Sequence, residues 1–381
     1  MSLFSKTESY LGVDIGAHGI KLVELRRTKG RPQLWTYGID DESLDIHLQA
    51  DAEKTAADLV LEDNPALTKQ IKKKKENEPL EFSDPRVDRY ADLLKQLLKA
   101  AKVSTKRATA SLPVSYIFHA IVTLPKVDDK EIEHMVMAEL KKMLSRPIEE
   151  MQVVFQKIPE SENDKQKKYL RILVTAAPRA LVKFYSSIFS RAGLELQELE
   201  TEAFAIERSL VGRDNATSMV VDMGAERTNF FIIDQSLPLT HRSINIGGDL
   251  IDKILLANLG LEKKEQAQQV KHDLEHLSGS LKAEIFEPVL EPIIKEIEYG
   301  FDLYLNQSGN VGKRPEKIVL TGGCAVIPFI KEHIAAKFPM KVFVGDPWAR
   351  VVYQDGLKST LAEVGPRMSV AIGLALRNIV K

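Results

Sequence analysis

The sequence predicts an α/β protein of two lobes with a small α/β subdomain inserted in the first. Three observations carry that prediction. The chain has 381 residues, whereas single hydrophobic cores stop growing near ~250–300 residues, so two lobes are the default. A glycine-punctuated pair of apolar β-branched runs occurs near the start and again in the second half, around Asp14 and Asp222. A mixed run of strand and helix patterns separates the two copies. With 44% hydrophobic and 28% charged residues, the composition supports a real core.

The first copy, residues 10–25, reads Tyr-Leu-Gly-Val-Asp-Ile-Gly-Ala-His-Gly-Ile-Lys-Leu-Val-Glu-Leu. Glycines interrupting two apolar runs predict a β-hairpin. Residues 40–86 then turn polar and carry Lys72 to Lys75 next to Glu76 and Glu78. This stretch is expected to be an exposed insertion or linker with a short helix at 52–61. A solvated segment is preferred to a basic docking patch, because charge runs of this kind remain solvated.

Leu93, Leu94, Leu97 and Leu98 recur at the spacing of a helix face over residues 90–101. Strands at 108–113, 116–124, 153–158 and 169–176 follow, with helices at 129–144 and 181–192. Residues from about 106 to 178 are expected to form the inserted subdomain. The second copy, residues 218–233, reads Ser-Met-Val-Val-Asp-Met-Gly-Ala-Glu-Arg-Thr-Asn-Phe-Phe-Ile-Ile. Asp14 and Asp222 are each followed by Gly at +2, Ala at +3 and a polar residue at +7, namely Lys21 and Asn229. Two copies with matching offsets and flanks point to an internal duplication. Beyond them, Gly247-Gly248-Asp249 leads into a helix, and residues 285–305 read as a long one. A strand at 317–321 runs into Gly322-Gly323, followed by helices at 325–336 and 368–379. The expected organisation is a first lobe at 1–210, a second at 211–360, and a terminal helix at 361–381 returning to the first.

Basic and acidic residues nearly cancel, 53 against 54, so no global positive field exists to hold nucleic acid or an anionic bilayer. Cys324 is the single cysteine, which excludes an internal disulfide and a cysteine-rich zinc site. The polar N-terminus has no signal-peptide apolar region, and no apolar run approaches the ~18 residues of a membrane helix. The expectation is a cytoplasmic protein, attached to a membrane only through a partner.

An aspartate at a strand end followed by a glycine turn sets a carboxylate beside backbone N–H groups that can cradle phosphate oxygens. The carboxylate would repel a triphosphate unless Mg²⁺ lay between them, and oxygen-rich sites of this kind suit that ion. Asp14 and Asp222, one per lobe, would face each other across a nucleotide and hold the ion mostly through water. Lys21 would be a point charge for the β- or γ-phosphate. Thr321-Gly322-Gly323-Cys324-Ala325 follows an apolar strand and precedes a helix, so its glycines let backbone approach a flat ring or ribose. Taken singly, each of these motifs also reads as an ordinary turn. His272 and His276, four apart on a helical pattern, have no third ligand in view and are expected on a solvated face.

In order and spacing, these segments resemble the two phosphate loops and the adenosine loop of the actin, sugar-kinase and heat-shock ATPase superfamily, which has a ribonuclease H-like fold. Within it the chain resembles the PilM type IV pilus assembly proteins, relatives of the cell-division protein FtsA. That resemblance implies ATP and Mg²⁺ as ligands, with hydrolysis slow at best. It implies a peripheral scaffold at the inner membrane, with a groove between the first lobe and the inserted subdomain. The groove would grip the cytoplasmic N-terminal peptide of a bitopic membrane protein of the PilN kind. Other pilus motor-complex proteins and self-association are further partners to expect.

Residue by residue, the resemblance gives Asp14, Gly16, Ala17 and Lys21 to the first phosphate loop, and Asp222, Gly224, Ala225 and Thr228 to the second. Gly322, Gly323 and Cys324 fall on the adenosine loop and Gly248 on the Gly-Gly-Asp turn, while Gln268 and Lys271 stand where relatives place a ribose-binding Glu and a Lys. Glu200 and Glu202 are candidates for positioning an attacking water. His18, Glu226 and Arg227 replace small residues of the two loops, and Glu226 would weaken phosphate binding unless it points away. A nucleotide-independent adaptor with a relic cleft is the alternative reading. A related secretion, competence or cell-division protein is another, and a small-molecule kinase fits the inserted subdomain and the last helix less well.

Overall fold

The computed structural model describes residues 8–46, 84–159, 169–272, 283–307, 310, 313–327 and 329–380. The helix expected at 52–61, the lysine run at 72–75 and His276 lie outside the described residues, as does the side chain of His272.

Strands β1 (Ser9–Gly16) and β2 (Gly19–Arg26) form the expected hairpin, and β3 (Gln33–Ile39) pairs antiparallel with β2. Helix α1 (Arg86–Ala100) precedes β4 (Arg107–Leu112), which runs parallel to β1. Next come β5 (Phe118–Pro125), α2 (Asp129–Met143), β6 (Met151–Lys157), β7 (Tyr169–Pro178) and α3 (Arg179–Arg191). Strand β8 (Glu195–Thr201) joins β4 in parallel and leads directly into the short helix α4 (Glu202–Ile206). In the second half β9 (Ser218–Met223), β10 (Thr228–Asp234) and β11 (Leu237–Ile244) form a meander. Helices α5 (Gly248–Leu259), α6 (Lys264–His272) and α7 (Glu287–Leu305) then lead to β12 (Lys317–Thr321). Helix α8 (Ile330–Lys337), strand β13 (Lys341–Val344) and helix α9 (Lys358–Leu376) complete the described chain.

The two large sheets repeat one strand order, β3-β2-β1-β4-β8 and β11-β10-β9-β12-β13. Each begins as an antiparallel meander and continues with parallel strands. Side-chain alternation explains why both hairpins are apolar on both faces. Ile20 and Leu22 of β2 pack with α1 and α3 through Tyr90, Leu94, Tyr185 and Ile188, whereas Val23 and Leu25 meet Met368, Ala371 and Ala375 of α9. In the second sheet Val221 and Ile232 face α7, while Val220 and Phe231 face α4 and the Val370 and Leu374 side of α9.

Helix α9 therefore packs against both sheets, and glycines set its approach. A Cβ on Gly12 of β1 would lie 2.1 Å from the Ala371 carbonyl oxygen. One on Gly373 would lie 1.9 Å from that of Ala205.

The third sheet, β5-β7-β6, is antiparallel and carries α2 on one face, where Ile132, Val136 and Leu140 meet Val122, Ile172 and Val174. Several boundaries differ from the sequence reading, three of them around turns or a proline. Residues 322–327 turn rather than start a helix, and Phe329 has a left-handed φ of 67°, so α8 begins only at Ile330. Helix α9 begins ten residues before the expected 368 and runs through Pro366. Residues 114–116 make a 3₁₀ turn that delays β5 to Phe118.

The third sheet meets the second lobe at a histidine pair. The rings of His119 on β5 and His241 on β11 lie 4.6 Å apart. His119 Nε2 is 2.8 Å from the Pro238 carbonyl oxygen and His241 Nε2 is 3.2 Å from that of Ile117, so each Nε2–H donates. Burial pushes His119 down to about 4 and His241 to about 3. Both stay neutral in the folded protein, while the unfolded chain takes up protons below about 6.5. The associated stability is present above that pH and is lost as pH falls towards 4. Denaturant unfolding is expected to show a loss of up to about 2 kcal/mol per imidazole between pH 6.5 and 5, and His119→Gln should flatten that slope.

Candidate functional site

The cleft between the two lobes, about 300 Å³, is built from the two hairpin turns. Hairpin register explains the +7 spacing, because Asp14 pairs with Lys21 across β1 and β2, and Asp222 with Asn229 across β9 and β10. Both aspartates, Lys21 and Asn229 line the cleft, as does Glu202 at the first position of α4.

Ser111 Oγ donates to Asp14 Oδ1 at 3.1 Å. Glu202 Oε2 accepts from the Val114 amide and from Asn229 Nδ2, both at 3.3 Å. Burial and the Asp14 carboxylate push Asp222 up to about 6. Burial, then Asp14 and Asp222, raise Glu202 well above its ordinary range, with the Val114 amide and Lys21 acting in the opposite direction. Three carboxyls with one nearby ammonium make a site that favours added positive charge.

The residues present fit a hydrated Mg²⁺ with phosphates. Among the described residues, no group of three His, Cys, Asp or Glu could itself hold a metal ion. The Asn229 Oδ1 atom is buried without a hydrogen-bond partner. Glycines keep the walls thin. A Cβ on Gly16 would stand 3.1 Å from Lys21 Nζ, one on Gly248 2.8 Å from Cys324 Sγ, and one on Gly322 2.6 Å from Asp222 Oδ1. Gly322 also needs its left-handed φ of 87°.

The other expected residues divide. Ala17, Gly224, Ala225, Gln268, Lys271, Gly323 and Cys324 line the cleft, and so do the substituted His18, Glu226 and Arg227. The amides of Gly224, Gly248, Gly322 and Cys324 donate to the carbonyls of Arg227, Gly224, Pro366 and Met223. In this state those residues contribute close approach rather than donors. Lys271 Nζ lies 2.5 Å from Asp252 Oδ1, and burial raises the Cys324 thiol to about 11.

Thr228 and Glu200 stand elsewhere. Thr228 is fully buried and its hydroxyl donates to the Ile246 carbonyl at 2.6 Å, which fixes the loop before α5. Glu200 pairs with Arg208 at 2.8 Å and with Arg377, away from the cleft. Asp41 and, on α9, Pro366, Arg367, Ser369 and Val370 complete the cleft, with Arg367 paired to Asp41. Sequence reading missed these, since no local pattern ties α9 to the hairpins.

A second cavity, about 430 Å³, runs between β6 and β8, each the last strand of its sheet. Gln152, Val154 and Gln156 of β6 face Leu196, Glu198 and Glu200 of β8, with Phe204 and Arg377 also in the wall. Val154 is 63% exposed.

Residues 80–379 match the family described as type IV pilus assembly protein PilM. The fold matches the structure of a PilM-PilN type IV pilus biogenesis complex with a TM-score of 0.75 and 21% identity, covering 98% of this chain and 99% of that one. It also matches the ethanolamine utilization protein EutJ from Carboxydothermus hydrogenoformans, with a TM-score of 0.51 and 15% identity over 97% of this chain and 89% of that one. The chain belongs to the PilM family of type IV pilus assembly proteins and has the two-lobed actin-like fold.

Proposed function

We propose that the chain is an ATP-binding scaffold of the pilus assembly machinery, with a nucleotide in the interlobe cleft and a partner peptide in the groove between β6 and β8. The carrying observation is the convergence of Asp14, Lys21, Asp222 and four glycine turns on one cleft from both lobes. Mg²⁺ would neutralise the carboxyl cluster and the phosphates together. Asp14 and Asp222 would hold it through water, Lys21 would meet a phosphate, and Glu202 would orient a water. Glu200 has no such role, because its carboxylate is held by Arg208 and Arg377.

The PilM-PilN complex supports a PilN-like partner, and the groove offers two strand edges to an extended peptide. Among the described residues no helix is long and apolar enough to cross a membrane. Attachment at the cytoplasmic face of the inner membrane would therefore run through that partner.

Calorimetry of the purified chain with ATP, with and without Mg²⁺, tests the cleft. Magnesium-dependent binding is expected, whereas no binding by folded protein would leave the adaptor reading, to which Glu226 in the cleft wall already lends weight. For the groove, Val154→Glu should weaken capture of a PilN-type N-terminal peptide about tenfold while leaving ATP affinity unchanged. Equal capture would place the peptide elsewhere.

A further inference from the structure

Among the described residues, the lysine and arginine side chains that line the interlobe cleft are Lys21, Arg227, Lys271 and Arg367. Two of them are already committed to carboxylates. Lys271 Nζ lies 2.5 Å from Asp252 Oδ1, and Arg367 pairs with Asp41. The other two, Lys21 and Arg227, make no side-chain ion pair or hydrogen bond among the described residues. They are the cations of the cleft that are free to meet an anion, and they come from opposite lobes.

The internal duplication explains where Arg227 points. Aligned on their aspartates, the two hairpins place Arg227 at the position of Gly19, five residues after Asp222 and Asp14. The first hairpin leaves no room for a side chain there, since a Cβ on Gly19 would lie 1.7 Å from the Asp40 carbonyl oxygen. The second hairpin carries a half-buried arginine instead. Its backbone is fixed on both sides. The Gly224 amide donates to the Arg227 carbonyl at 2.9 Å, and the fully buried Thr228 is tied to Ile246. Alternation along the strand then sets Arg227 on the face of Asn229 and opposite to Thr228, which is the face that looks into the cleft.

The neighbouring charges show what a cation does at this turn. Glu226 lines the same wall. Burial and the Asp249 carboxylate raise Glu226, while His18, Arg227 and Lys264 act in the opposite direction. A guanidinium keeps its charge at any working pH, so it offsets the Glu226 carboxylate that would otherwise repel a phosphate chain. Across the cleft, Lys21 Nζ stands over the Gly16 turn, 3.1 Å from where a Cβ on that glycine would be.

We propose that Arg227 is the phosphate-binding residue of the second lobe, and that with Lys21 it grips the phosphate chain of the nucleotide from both sides of the cleft. The planar fork of the guanidinium matches two phosphate oxygens at once, whereas the Lys21 ammonium acts as a point charge. A ligand that engages both cations also bridges the two lobes. This inference rests on the reading of the cleft as a nucleotide site.

The experiment titrates ATP with Mg²⁺ into the full chain, Arg227→Gln and Arg227→Lys by calorimetry at neutral pH and fixed ionic strength. Arg227→Gln is expected to bind about tenfold more weakly than the unaltered chain. Arg227→Lys, which keeps the charge and loses the fork, should lose about threefold. AMP, read by displacement of a fluorescent ATP analogue, should show inhibition constants within about twofold for all three proteins, because the lost contact is to the outer phosphates. An unchanged ATP affinity in Arg227→Gln, or a loss for AMP as large as that for ATP, overturns the assignment and leaves the nucleotide reading standing. Absence of ATP binding by the folded, unaltered chain overturns both. The lysine variant keeps the test intact if the glutamine variant fails to fold.

Discussion

Replacing Lys21 with alanine is expected to weaken magnesium–ATP binding by about a hundredfold, measured by calorimetry at neutral pH. Lys21 stands opposite Asp14 in the hairpin ladder, with its ammonium over the Gly16 turn. Its charge opposes the upward shifts of both Asp222 and Glu202. A hydrogen bond to a charged group contributes about 1.5–3 kcal/mol, and each 1.4 kcal/mol is tenfold in affinity. Loss of the ammonium also leaves three facing carboxyls without a counter-charge, so the variant should take up protons more readily around Asp222. Asp14→Ala should behave differently, by removing the dependence on magnesium rather than the attraction for phosphate. Undiminished binding by Lys21→Ala would move the phosphates away from the first turn.

The largest effect on stability is expected from Gly373→Val, at about 3 kcal/mol or more in denaturant unfolding. A Cβ at that position meets the Ala205 carbonyl oxygen at 1.9 Å and its carbonyl carbon at 2.4 Å, and backbone on both sides leaves no side chain free to swing away. Gly12→Val attacks the opposite flank of α9, where the obstacles are the Ala371 oxygen at 2.1 Å and the Ala375 nitrogen at 2.5 Å. Gly356→Ala serves as control, since nothing lies within 4 Å of its would-be Cβ. Equal midpoints for Gly373→Val and the control would mean that α9 can shift away from α4 without loss.

The hairpins were legible because their information is local. Asp14 with Lys21, and Asp222 with Asn229, are ladder partners seven residues apart, so one repeat in the sequence reports one pairing in space. The glycine turns were legible for the same reason. Glu200 and Glu202 show the limit of that reasoning. They are two residues apart, but one ends a strand and the other starts a helix, so Glu202 enters the cleft while Glu200 turns towards Arg208 and Arg377. Thr228 was misplaced because its strand is buried on both faces and its hydroxyl serves the loop at Ile246. Arg367 and Asp41 were invisible, since their meeting is a product of tertiary packing between segments more than 300 residues apart. The first half of α9 was obscured by Gly365 and Pro366, which argue locally against a helix.

The packing of α9 also bears on synthesis. Val23 and Leu25 are covered by Leu361, Met368, Ala371 and Ala375, which leave the ribosome more than 300 residues later. At translation rates of roughly 5–20 residues per second, that interval is tens of seconds. Throughout it the first hairpin can close on itself and one face of its sheet can meet α1 and α3, yet the other face has nothing to bury against. A nascent chain of this protein therefore carries a bare apolar sheet face for most of its time on the ribosome, and a chaperone that shields Val23 and Leu25 would protect it over that period.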